Sequence, residues 1–546
     1  MSIMWEKLPE QEKKEYKKMI LAFASLSKMF AQKSENESDD NITPVINSKY
    51  QETVFQKVFH AVAEDIGNTS YDVSLCLNDD SGEILKYLIG IKTFGFGSGS
   101  QKVAQFKASH NEWATIIEQM EQNAHDRNGK RLSKQKIDNA NKALYKELAL
   151  KIAKLRNDRI ESSEANLQGF SVTNEDDVQA VYHVLMPSKG NESGPKIFVG
   201  ETNYNKIDID NIVIKGCTKA NNPTNFKFSD GNHDYIFTSA DSQLLMQFHD
   251  NDIVLDEWDV TYAEDAYAFF ADIGKEVYAE HNSQEISYSE ISKREKDESY
   301  SWLIENDNGE VELFSGFNGF FGVGSKLPKD KREEAIHKFR LKYEDIFSRS
   351  SLSIIVDKLY IFFFDSASNK EEKYAKARLR DSIVEYVEKL GNAEATSDIK
   401  KILYRPKDEM YIPIPQAAKF HNAHPDFFGE GIGKLKREGG KWKPIVPKKE
   451  DRKFSIVFEP SGDEIEAFLT QDNLKGIESS EKQSILGEWI LRKIFQLPDF
   501  KPLTARRLRE IGINGIRLVK DSDTGKIHLF FIWIDKDHLP EDYLLD

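Results

Sequence analysis

Asp72 and Lys92 are the residues whose types and spacing best suit chemistry. Between them the chain reads as two strand-like runs, YDVSLCLND and YLIGIKTFG, joined by the turn-rich Asp79-Asp80-Ser81-Gly82. Asp72 opens the first run and Lys92 lies in the second. A carboxylate on one strand and a lysine on its hairpin neighbour can be held a few ångströms apart on rigid backbone. Phosphodiester hydrolysis uses such a pair. The carboxylate holds a divalent metal that lowers the pKa of bound water and offsets charge on the phosphorus. The lysine positions or deprotonates the attacking water and supports the charge that develops. The plainer reading makes Asp72 a strand-start turn residue and Lys92 a surface lysine.

Several elements must position this pair. Residues 48–66 predict an amphipathic helix, with Phe55, Phe59, Val62 and Ile66 on one stripe, and Gly67-Asn68-Thr69-Ser70 ends it. Gly95, Gly97 and Gly99 close the second strand before a helix expected from near Gln101. This order (helix, Asp-bearing strand, turn, strand ending in x-Lys, helix) resembles the core of the PD-(D/E)XK nucleases, the group that holds most restriction endonucleases. The resemblance covers about a sixth of the chain. The family's second acid would fall at Gly90, which has no side chain to bind metal. Some members take that acid from a helix, and the resemblance then points to Glu52, at the edge of the apolar stripe. Mg²⁺ would be held by Asp72 and Glu52, and Gln105, in QKVAQFK, would support a metal-bound water. Glu201, just past a strand end in KIFVGETNY, is the next acid to consider, although such a residue more often caps a turn.

At 546 residues the chain is too long for one core, and two or three domains are expected. Cys76 and Cys217 are its two cysteines, too few for a disulfide framework or a four-ligand zinc site. That usage, the lack of a charged-then-apolar leader and of an apolar run near ~20 residues predict a soluble, cytoplasmic protein with no membrane partner. The formal net charge of −16 argues against a protein that coats nucleic acid indiscriminately. Local patches still set the field that a phosphate backbone feels. Residues 401–460 hold 13 Lys and Arg against 8 Asp and Glu, densest in KLKREGGKWKPIVPKK at 434–449.

The expected class is α/β or α+β. Residues 1–45 predict a helix followed by a mobile acidic tether, SENESDDN. Residues 46–284 predict a nuclease-like domain, a mixed sheet flanked by helices. Its helices are expected at 109–122 and 133–160, and its strands in AVYHVLMP, KIFVGET, IDIDNIVIKG, NFKFSD and HDYIFTS, before a helix start in SADSQLLMQF. His183, among apolar neighbours, reads as a hydrogen-bonded sheet residue. The charged seam at 285–300 marks a boundary, and 285–546 predicts a second domain. Within it lie a hairpin turning at Asp307-Asn308-Gly309, a glycine-rich aromatic loop and an insertion at about 327–404. That insertion is mainly helical, with an apolar strand, SIIVDKLYIFFFD. Gly316, Gly319, Gly322 and Gly324 do not match a dinucleotide fingerprint.

In the last third, DEMYIPIP, TQDNLKGIES, SILGEWILRKIF, an LT-initiated short helix and a closing strand pair follow in order. With SGFN at 315–318, they resemble the B3-like, effector-type DNA-recognition domain attached to several bacterial restriction endonucleases. The resemblance implies a β pseudobarrel that pushes two loop arms into the major groove. One arm would carry Ser315 and Asn318, the other Gln471, Asn473, Lys475, Ser479 and Ser480. Gln471 and Asn473 suit bidentate contact with adenine, and Lys475 suits guanine or phosphate. Lys434, Lys436, Arg437, Lys441 and Lys443, with Arg506 and Arg507, would hold the backbone. QDN is equally good turn chemistry, and a lysine run is usually a solvated loop. The two resemblances together imply a Type II-like restriction endonuclease acting on double-stranded DNA. A cognate DNA methyltransferase acting on the same site is its expected companion, and a homodimer is among the assemblies left open. The rivals are a DNA-binding protein whose core has lost chemistry, which Gly90 permits, and a nuclease directed at modified DNA.

Overall fold

The computed structural model describes residues 4–30, 42–63, 71–78, 84–106, 110–171, 178–189, 194–203, 205–265, 268–269, 298–325 and 327–544. The acidic tether, the turns expected at 67–70 and 79–82, and most of the seam at 285–300 lie outside them. The protein is a mixed α/β molecule with several sheets, one of them a curled half-barrel.

The first sheet has six strands in the order β1 (Val62–Ala63), β2 (Val73–Asn78), β3 (Ile84–Thr93), β5 (Val178–Ser188), β6 (Lys196–Asn203) and β11 (Val254–Asp259). β2 and β3 pair antiparallel, while β3 and β5 run parallel across a helical crossover. β3 is a continuous apolar run because both its faces are covered. Helices Glu10–Ser25 and Ser48–Phe59 lie on one face, where Tyr16, Ile20, Val54, Phe55 and Phe59 pack with Ile89 and Ile91. Leu88, Tyr182 and Val184 face the other way, onto helix Lys134–Gln168 and a second sheet.

That second sheet is β4 (Ser100–Gln105), β10 (Gln243–Gln247), β9 (Asp234–Thr238), β8 (Asn222–Ser229) and β7 (Val213–Lys219), in this order. It corrects two expectations. QKVAQ and QLLMQ are strands, not helices, and they pair with each other. The propensity of both segments is weak, so the partner strand decides their state. The helix at 48 ends at Phe59, eight residues before Gly67, because His60 turns left-handed with φ 52°.

The C-terminal sheet has seven strands: β12 (Glu298–Leu303), β19 (Gly515–Lys520), β20 (Ile527–Ile532), β16 (Lys453–Glu459), β17 (Asp463–Thr470), β18 (Gly476–Ser479) and β13 (Ile412–Pro413). Phe317, Phe320, Phe458, Trp489 and Phe531 fill its concave side. Between β12 and β13 stand helices Lys329–Tyr343, Arg349–Phe364, Lys370–Lys389 and Ala393–Leu403, with a core of their own. The expected strand SIIVDKLYIFFFD is inside the second of these. Leu352, Ile355, Leu359, Phe362 and Phe363 bury one helical stripe, and the Ser348 side chain caps its start.

The two halves are joined along helix Lys134–Gln168. Near its C-terminal end, the Ala165 carbonyl accepts from Trp489 Nε1 at 2.9 Å. Gly169 follows with φ 79°, and the next two amides, of Phe170 and Ser171, donate to Asp463 Oδ2 at 2.6 and 3.0 Å. A Cβ at Gly169 would meet that carboxylate at 2.1 Å, so only glycine fits.

Candidate active site and nucleic-acid interface

Asp72 precedes β2, and its amide donates to the Ile89 carbonyl at 2.9 Å, which fixes it beside the end of β3. Its Oδ2 accepts from the Ile91 amide at 2.6 Å and from Lys92 Nζ at 3.3 Å. Strand alternation turns Lys92 to the face that carries Leu88 and Tyr182, and its ammonium stands 5.9 Å from the Tyr182 ring centre. The two side chains are 27 % and 29 % exposed, so water and a ligand can reach them. The spacing read from the sequence thus becomes a contact.

The other residues expected at this site are not brought to it. Helix Ser48–Phe59 covers the opposite face of the sheet, and there Glu52 pairs with Lys49 at 2.9 Å. The residue of this helix that turns inward is Gln51, whose Oε1 accepts from Thr93 Oγ1. Gln105 is on β4 and donates to the Asp241 carbonyl at 3.1 Å. Glu201 lies across from His183 in the β5–β6 pairing, on the Glu52 side of the sheet. It accepts from the Met4 and Trp5 amides, both at 2.9 Å, and so anchors the N-terminal segment; burial pushes its carboxyl up. His183 is a core residue, stacked on Trp5 and 3.2 Å from the Tyr16 hydroxyl, with burial pushing its imidazole down to about 3.

Mg²⁺ is bound through one or two carboxylates plus waters and phosphate oxygens. Asp72 supplies one carboxylate, with an oxygen already held by an amide and an ammonium. Glu52 does not join it, and among the described residues no three His, Cys, Asp or Glu side chains gather around one point. Of the donor set expected for the ion, Asp72 stands at the Lys92 contact and Glu52 is paired with Lys49.

The C-terminal half presents a different surface. β14 (Leu435–Glu438) and β15 (Lys441–Pro444) form an exposed hairpin. Gly439 and Gly440 turn it with φ of 59° and 79°, values that a two-residue hairpin loop requires. Its pairing sorts the cations. Lys436 lies opposite Lys443, both within 4 Å of Glu438, while Arg437 lies opposite Trp442 and 5.8 Å from its ring centre. Lys434 and Lys441 are exposed at the base and the tip.

Trp442 reaches one wall of a groove of about 500 Å³ shared with Gln416, Lys419, Asn422, Asn473 and Lys475. Asn473 and Lys475 come from the loop between β17 and β18, where Gln471 is exposed and left-handed with φ 69°. That loop is pinned from below by His421, whose Nε2 donates to the Leu474 carbonyl at 2.9 Å; burial pushes its imidazole down to about 4. Sequence reasoning missed His421. The only sign of it was a histidine pair in FHNAH, one turn apart.

Two expected DNA contacts are buried, and two more are committed to partners within the protein. Asn318 is 0 % exposed: its amide donates to the Glu312 and Leu503 carbonyls at 3.2 and 3.0 Å and its oxygen accepts from the Leu503 amide at 2.7 Å. Ser479 is buried in β18, its hydroxyl accepting from the Glu481 amide. Ser480, at the strand's end, donates to Glu466 at 2.8 Å. Arg507 is 15 % exposed, its donors committed to Asp158, Glu510, Gln496 and the Phe495 carbonyl. Arg506 stays exposed but pairs with Glu510 and, across the junction, with Glu112. Ser315 is half-buried at the start of a 3₁₀ turn, Gly316–Phe321. SGFN therefore packs the half-barrel and is no reading arm.

No protein-family model matches this sequence, and no curated protein is significantly similar to it. Among the described residues no helix is long and apolar enough to cross a membrane.

Proposed function

We propose that this protein is a site-specific double-stranded DNA endonuclease. Its C-terminal half reads the duplex, as the B3-like resemblance implies, and its N-terminal half cuts, as the PD-(D/E)XK resemblance implies. The observation that carries the reading is the contact of Asp72 with Lys92 at 3.3 Å on neighbouring antiparallel strands, at a place that solvent reaches. Against a scissile phosphodiester, the Lys92 ammonium would face a non-bridging oxygen and offset the charge that grows there. Asp72 holds that ammonium in place through the charge pair and is itself held by the Ile91 amide. The water's proton would pass to the Asp72 carboxylate as its oxygen bonds phosphorus and the P–O bond to the leaving sugar breaks, the departing oxygen taking a proton from solvent. On the reading side, Asn473, Gln471 and Lys475 stand beside a basic hairpin, the combination in which amides read bases and ammoniums hold phosphates.

A second reading, a sequence-specific DNA-binding protein without chemistry, is favoured by Gly90 and by the Glu52–Lys49 pair, which leave Asp72 without a second acid. One experiment separates the two. Purified protein and its Lys92→Ala variant are incubated with unmodified plasmid, with and without Mg²⁺, and run on a gel beside a binding assay. Discrete fragments from wild type alone support the endonuclease. Sequence-preferring binding with no cutting under either condition removes it and leaves the second reading.

A further inference from the structure

Where the two halves meet lies a cleft of about 620 Å³ that neither arm of the expected reader includes. One wall is helix Lys134–Gln168 with the start of helix His110–Gln122. The other is the loop at 496–502 and helix Ala505–Ile511. In a chain of net charge −16, the lining carries six Lys and Arg against three Asp and Glu. We infer that this cleft holds the phosphate backbone of duplex DNA, bridging the reading and cutting halves; the inference rests on the DNA-binding reading above.

Three of its cations, Lys154, Lys501 and Arg509, are exposed and, among the described residues, lack a carboxylate partner. Cations that face one cleft from two walls repel each other until an anion enters. Lys151 and Lys154 on one helix, and Arg506 and Arg509 on the other, are each three residues apart and so share a face. Cations on both walls suit a line of phosphates better than one compact anion. A nucleotide fits less well. No glycine lines the cleft, and the amide of Arg507 already donates to the Thr504 hydroxyl, so no open nest of amides faces a triphosphate. Trp113, the single aromatic side chain on the wall, is packed against Phe106 and Phe237 and leaves no ring for a base to stack on.

The cleft is also a joint. Arg506 Nη2 reaches Glu112 Oε2 across it at 3.2 Å. A phosphate can replace the carboxylate as partner, because a guanidinium forms the same bidentate pair with either. Backbone binding therefore exchanges an internal contact between the halves for one through DNA.

The test uses full-length protein, a fluorescent duplex of random sequence and anisotropy at salt from 50 to 200 mM. The variant Lys154→Ala/Lys501→Ala/Arg509→Ala should lower the salt slope by about 0.9 per lost contact. Across that range wild type should then lose roughly 40-fold more affinity than the variant. Glu112→Gln, which frees Arg506 and removes a repelling charge, should bind more tightly than wild type. An unchanged slope in the triple variant together with unchanged affinity in Glu112→Gln overturns the inference. So does displacement of duplex from the cleft by ATP at concentrations where inorganic sulfate has no effect. Absence of duplex binding by wild type would instead remove the DNA-binding reading itself. Loss of sequence preference, scored separately with a randomised pool, belongs to the groove at Asn473 and not to this cleft.

Discussion

Of the polar groups on and against the sheet that carries Asp72 and Lys92, several are already engaged: Glu52 with Lys49, Glu201 with two amides, Gln51 with Thr93. Around Asn473 and Trp442, Gln416, Lys419 and Gln471 are exposed and Asn473 and Lys475 half-buried, and the hairpin's Lys436 and Lys443 share one acid, Glu438. A site for chemistry would need few groups in fixed geometry, and the sheet holds one such pair: Asp72, bonded to the Ile91 amide, and Lys92, bonded to Asp72. A surface for recognition needs many groups left free to meet a partner, each of modest worth. The same residue types thus take opposite roles in the two regions.

The sharpest break in this comparison is Lys92→Ala. It should cut cleavage by about 10²–10⁴-fold, measured in single turnover, with affinity for the duplex unchanged. Equal cleavage by wild type and variant would deprive the pair of its role. Next come two asparagines of opposite kind. Asn318→Ala strands buried groups of Leu503 and should cost about 1–3 kcal/mol per orphaned group in thermal unfolding, with sequence preference intact. Asn473→Ala should leave stability unchanged and lose roughly 1–3 kcal/mol of discrimination at one base pair. If the two variants exchange these phenotypes, the division between interior and reading surface is wrong.

The pH dependence is a smaller effect. His421 is held neutral by burial, its folded pKa about 4 against an ordinary 6.5. The unfolded chain takes up this proton first, so the contribution is full above 6.5 and is lost as pH falls toward about 4. The slope within that window is roughly 1.4 kcal/mol per pH unit. Melting curves of His421→Gln between pH 7.5 and 4.5 should fall less steeply than those of wild type, which retains the histidine that pins the Leu474 loop. The smallest effect is expected at the hairpin: Lys436→Ala and Lys443→Ala should weaken all sequences alike and each lower the salt slope by about one unit.

The elements most legible in the sequence were those whose periodicity agrees with their surroundings, such as β2, β3, β5 and helix Lys134–Gln168, expected at 133–160 and running eight residues further. The errors cluster where local pattern is ambiguous. SQKVAQ has no strong preference, and its strand state comes from β10. SIIVDKLYIFFFD is apolar enough for either state, and its length within a four-helix insertion settles it as helix.

That Asp72 and Lys92 lie on neighbouring strands was legible in the sequence, and the register of β2 on β3 then made the contact. The density of cations at 434–449 is likewise a property of the sequence, and so is the Gly439-Gly440 turn that makes them a hairpin. Tertiary structure decided which side chains have anything left to offer. Nothing local distinguishes Asn318 from Asn473, Arg507 from Arg509, or Glu52 from Gln51. Their difference is whether another part of the chain, 185 residues away for Asn318 and 349 for Arg507, arrives to take their hydrogen bonds. Burial and partner are long-range quantities, and a side chain's chemistry follows from them.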